Sequence, residues 1–118
     1  MSTLETKSWS SPDDSMTPDK THAATIKFGP VSITKANMQP GWKWSVDVGP
    51  DIGEDYCSVE HVGMVVSGVA TAAFSNGEVT ELRPGQLFYI PSEPHDSWVV
   101  GDEPYVSLHF MGANKYAR

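Results

Sequence analysis

The feature that most restricts this chain is a train of short runs, rich in β-branched and aromatic residues, cut by strong turn formers. The expected strands are residues 24–28, 31–38, 42–48, 57–66, 69–75, 78–82, 87–90, 95–100 and 105–110. Between them stand Gly29-Pro30, Pro40-Gly41, Gly49-Pro50, Pro84-Gly85 and Gly101-Asp102. Such pairs bend the backbone and cannot extend a ladder of hydrogen bonds. Asn76-Gly77 separates two alternating runs, and both residues tolerate positive φ, which marks a two-residue hairpin. No ten-residue window carries a helical apolar stripe. So many short strands in one open sheet would leave long exposed edges, so the chain must close into a barrel or a sandwich. An antibody-type sandwich needs paired cysteines, and this chain has one, Cys57.

The 118 residues suffice for a single domain. Residues 1–21 are rich in Ser, Thr, Asp and Pro without periodicity, and are expected to form a flexible N-terminal arm. Residues 22–118 form the expected barrel domain. With 15 acidic against 8 basic side chains the net charge is −7, which repels phosphate backbones and anionic membranes. No apolar run approaches the ~20 residues that a membrane span needs. The first residues lack an apolar signal core, and a lone cysteine fits a reducing compartment, so a cytoplasmic location is expected.

The segment from Gly41 to Phe110 resembles the cupin superfamily. Gly85, five further residues, Pro91 and then His95 are similar to the second cupin motif, shortened by one residue and lacking its inner glycine. Val65-Val66-Ser67-Gly68 resembles the end of the first motif. Counting back from Gly68 places His61 where the family carries glutamate, with Cys57 and Asp55 at its two histidine positions. Gly41-Trp42-Lys43-Trp44-Ser45 is also similar to the entry segment of small cupins of the ureidoglycine aminohydrolase group. The resemblance implies an all-β double-stranded β-helix, or jelly-roll barrel, with a divalent metal inside, and it implies a homodimer.

Strand side chains alternate between faces, so Asp55, Cys57 and His61 share one side if the strand is regular. His95 and Ser97 share a side on another strand. Should both sets point inward, a carboxylate, a thiol and two imidazoles meet in one barrel. Thiolate and imidazole suit zinc and late transition metals, whereas His61, His95 and Asp55 alone suit ferrous iron. The residues therefore do not name the metal, and the expected divalent ion is one of Zn, Fe, Mn, Ni or Cu. Glu54 replaces Asp55 if a bulge shifts the register.

His109 shares a face with Ser107 and is either a surface histidine or, beside the metal, a third imidazole or an acid–base group. Trp42, Trp44 and Val46 alternate with Lys43, Ser45 and Asp47, which predicts a half-buried strand with the tryptophans in the core or lining the pocket mouth. Ser107 and Tyr89 are further pocket candidates. The expected function is a metal-dependent enzyme acting on a small organic molecule, of oxygenase, isomerase or cyclase, or lyase type. The alternative is a non-catalytic cupin that binds or senses a small molecule.

Overall fold

The computed structural model describes residues 3–111. It contains β1 (Asp14–Met16), β2 (Thr21–Phe28), β3 (Val31–Met38), α1 (Trp44–Asp47), α2 (Gly49–Ile52), β4 (His61–Ser67) and β5 (Val69–Phe74). These are followed by β6 (Val79–Leu82), β7 (Leu87–Ile90), β8 (His95–Asp96), β9 (Val99–Val100) and β10 (Tyr105–Met111). Two antiparallel sheets face each other. One has six strands in the order β1-β2-β3-β10-β4-β7, and the other has β6-β5-β8, with β9 also on β5. The last strand, β10, sits between β3 and β4, a crossover that closes the roll.

Burial follows the two-residue period of the strands. On β4, His61, Gly63 and Val65 are buried; on β10, Tyr105, Ser107 and His109 are. Gly63 is required by packing rather than by backbone freedom. A Cβ there would collide with the Leu108 carbonyl and the Phe88 ring. Gly68, at φ +75, joins β4 to β5 where a Cβ would strike the Pro104 carbonyl, so only glycine satisfies both constraints.

Residues 42–48 do not form the expected strand. Lys43 makes a single bridge to Trp98, and the chain then winds into the one-turn helices α1 and α2. Carboxylates drive this winding. Asp47 accepts the Lys43 amide at 2.9 Å, and Asp96 accepts the Ser45 amide at 3.0 Å and its hydroxyl at 2.7 Å. Asp47 is consequently buried, paired with Lys20, while Val46 is 63% exposed, the reverse of the alternation read from the sequence. The expected strand 95–100 is interrupted at Ser97 and Trp98, because the Ser97 carbonyl accepts from the Trp44 amide.

Part of the N-terminal segment is paired. β1 lies antiparallel along β2, and Asp13 takes the Lys27 amide at 2.7 Å. Of the expected barrel domain, residues 112–118 lie outside the described residues, as do residues 1–2 of the arm. Among the described residues no helix is long and apolar enough to cross a membrane.

A candidate metal centre inside the barrel

Three donor-bearing side chains meet inside the roll. Cys57, His61 and His95 are all buried, and each offers a ligand atom within 4.8 Å of the others. The Cys57 Sγ lies 3.5 Å from His61 Nε2, and the His61 and His95 rings are 5.6 Å apart. His61 enters from the first residue of β4, which pairs with Ile90. Cys57 precedes that strand, in a stretch that bends instead of running straight. It is fixed by a reciprocal bridge: the Cys57 amide donates to the His95 carbonyl at 2.8 Å, and the His95 amide returns a bond at 2.9 Å. Two of the three donors are thus tied to each other through the main chain.

The ring of His95 is also oriented. Its Nδ1 lies 2.8 Å from the Glu93 carbonyl, which can only accept, so Nδ1 carries the proton and Nε2 keeps its lone pair. Burial holds the imidazoles neutral. His61 is pushed down to about 3 by desolvation, with His109 and His95 adding repulsion, and desolvation lowers His95 as well. Neutral imidazole is the form that binds a metal. Desolvation raises the Cys57 thiol, so an ion arriving here must displace a proton from sulfur. The donor set, one sulfur and two imidazole nitrogens, fits zinc and late transition ions.

His109 is not on the surface. It is buried on β10 with its ring 5.7 Å from that of His61 and 5.4 Å from Phe88, and its Nε2 lies 2.8 Å from the Ser107 hydroxyl. Desolvation pushes it down to about 4. Ser107 reaches the site through this bond and is itself fully buried. A void of about 20 Å³ borders Cys57, His95 and His109 together with Trp42, Trp44 and Tyr105. That is room for one water molecule or one ligand atom. An outer pocket of about 270 Å³ shares Trp44 and Cys57 with it and continues along Ile52, Glu54, Tyr56 and Val59.

The other sequence candidates lie elsewhere. Asp55 is exposed and borders a shallow outer depression with Ser45, Tyr56 and Asp96, because the chain before His61 is not a regular strand and parity does not carry across it. Glu54 is exposed at the outer pocket. Tyr89 is 60% exposed on the outer side of β7, with its hydroxyl bonded to Glu60 rather than lining the pocket. Phe88 and Ile90, its neighbours of opposite parity, line the void instead. Sequence reasoning did not single out Glu93, whose carbonyl orients His95, or Tyr105. The proline on each side of Ser92-Glu93 was the available signal for a tight loop presenting a carbonyl.

This architecture is a small cupin-like fold, the double-stranded β-helix. No family model matches the sequence, and no curated protein matches it. Solved structures do. A protein of unknown function from Rhizobium leguminosarum superimposes with a TM-score of 0.66 at 14% identity, covering 94% of this chain and 98% of the other. A double-stranded β-helix protein from Klebsiella pneumoniae gives 0.58 at 16% identity, over 86% of this chain and 79% of that one. A cupin-superfamily sugar phosphate isomerase from Silicibacter pomeroyi gives 0.55 at 15% identity, over 77% and 58%. At these identities the likeness concerns the fold alone.

Proposed function

We propose that this protein holds one divalent transition-metal ion on Cys57, His61 and His95 and uses it to act on a small organic molecule. The supporting observation is the buried convergence of the three donors within 4.8 Å, beside a void that leaves room for a further ligand. Three protein ligands with an open position are the pattern of catalytic rather than structural sites. A bound ion would polarise a carbonyl oxygen or lower the pKa of a water. The chain's own contributions are distinct. Glu93 sets the tautomer of His95, and the apolar wall of Trp42, Trp44, Phe88 and Ile90 keeps bulk water from the donors. His109, with Ser107 behind it, is the acid–base group nearest the reacting position.

The homodimer belongs to the same proposal. The outward face of β7, β4 and β10 is apolar, with Leu87 73% exposed in register with Met64 and, beyond it, Leu108. A second copy covering that face would bury it. The free buried thiol supports a reducing compartment, and the cytoplasm is the proposed location.

Elemental analysis of protein purified without a metal-affinity tag tests the reading. We expect about one ion per chain, lost in His61→Ala and in His95→Ala while the circular dichroism of the sheets persists. Cobalt(II) loading should give a thiolate charge-transfer band that Cys57→Ser removes. Metal retained in both histidine variants would overturn the site. A metal-free native protein that carries a small organic molecule would favour the non-catalytic binding role instead.

A further inference from the structure

We infer that Lys20 is a positioning residue of the barrel site: it holds the turn of α1 that carries Trp44 into the wall shared by the inner void and the outer pocket. This deepens the proposed function, since it rests on the barrel interior being a small-molecule site. Trp44 and Cys57 border both spaces. Lys20 stands in the loop between β1 and β2, outside both linings. Among the described residues it is the one non-glycine with a positive φ, +58. A residue with a Cβ is disfavoured in that region, whereas glycine adopts it freely. The turn alone would thus favour glycine, and the lysine side chain has a second task.

That task is visible in the contacts. The Lys20 ammonium lies 2.9 Å from Asp47 Oδ1, and the Asp47 side chain is only 5% exposed. The second oxygen, Oδ2, accepts the amide of Lys43, the residue just before Trp44. The Asp47 and Val48 amides donate in turn to the carbonyls of Lys43 and Trp44, at 2.8 and 3.0 Å, which closes the helical turn. A carboxylate so buried costs free energy unless a cation pairs with it. Lys20 is the one basic side chain paired with Asp47 among the described residues. Its backbone is pinned as well. The Lys20 carbonyl accepts the Gln39 amide at 2.8 Å, and the Pro18 carbonyl accepts the Thr21 amide at 2.9 Å. The ammonium is thus delivered from a fixed loop. Without it, the Asp47 carboxylate gains by turning towards water, releasing the Lys43 amide and loosening the turn that seats Trp44 over Cys57.

The test follows the reaction of Cys57, the lone thiol of the chain, with dithiodipyridine, a small uncharged disulfide, in full-length metal-free protein. We expect Lys20→Met to react about tenfold faster than wild type, the lower worth of a hydrogen bond to a charged group. Lys20→Gly relieves the backbone but deletes the ammonium, and should react as fast as Lys20→Met. Lys20→Arg restores the cation and should return to the wild-type rate. In an Asp47→Asn background, Lys20→Met should add nothing, because the pair acts as a unit. The faster reaction should depend only weakly on added urea, the mark of a local opening, whereas a route through global unfolding rises steeply with it. Should Lys20→Met fail to fold, Lys20→Gly and Asp47→Asn carry the same comparison. The inference is overturned if the folded variants react at the wild-type rate, if Lys20→Arg is as fast as Lys20→Met, or if the acceleration is steep in urea. Metal content of the native protein separates the two readings. One ion per chain with no acceleration in the variants sinks the inference alone, whereas acceleration in a protein that takes up no metal sinks the metal reading alone.

Discussion

The two faces of the β4–β10 pair differ in an unusual direction. Inward positions carry His61, Gly63, Val65, Tyr105, Ser107 and His109, with Val65 the one aliphatic side chain among them, whereas outward positions carry Val62, Met64, Val66, Val106, Leu108 and Phe110. A sheet built for stability alone would place the aliphatic set inside, because a buried polar group costs free energy unless it is paired. Here three of the inward side chains, His61, Ser107 and His109, are polar and buried, while the outward apolar set is half-covered or exposed. The inner face therefore answers to something other than packing, which the proposed ion and its ligand would supply. The outer face carries a surface that a second copy would cover.

Acid should break this contrast with the largest effect. His61 and His109 are held at about 3 and about 4, below the ordinary value near 6.5, so the folded state resists protons that the unfolded chain accepts. Stability is then fully present above pH 6.5 and drains as the pH falls through the window down to about 3. Urea midpoints of metal-free protein should show a loss of several kcal/mol between pH 7 and pH 4. A flat profile would mean that the inner histidines are solvated.

Filling the inner face is the next test in size. Gly63→Ala drives a methyl group into the Leu108 carbonyl and the Phe88 ring, and should cost about 1–3 kcal/mol by chemical denaturation. Leu87→Asp, on the outer face, sharpens the comparison from the other side. It should shift stability by only about 0.5 kcal/mol while moving the protein from dimer to monomer in sedimentation velocity. A monomeric wild type would leave the outer face without its proposed partner.

Much of this was legible in the residues. The turn formers delimit most strands, and Asn76-Gly77 does fall between β5 and β6. His61 and His95 lie on the two motif segments and face one another. What escaped depended on contacts distant in sequence. Trp42, Lys43, Trp44 and Ser45 alternate like a strand, yet Asp96 lies 51 residues from Ser45 and draws its amide into a helical turn. The parity that grouped Asp55 with Cys57 assumed a straight strand, whereas Cys57 is held by one bridge to His95. His109 looked equally suited to either face, since its neighbours Leu108 and Phe110 are apolar and burial of β10 is decided by which side faces the roll.

The reciprocal amide bridge between Cys57 and His95 has a further consequence. Because the residues that carry sulfur and imidazole are joined by the same pair of main-chain bonds, the spacing of their backbones would be set before the proposed ion is bound. A chelator should then empty the cage without unravelling it, and refilling needs no rearrangement of the chain. The barrel would distinguish one ion from another by how well each tolerates a bite of fixed width, not by closing around the one it prefers.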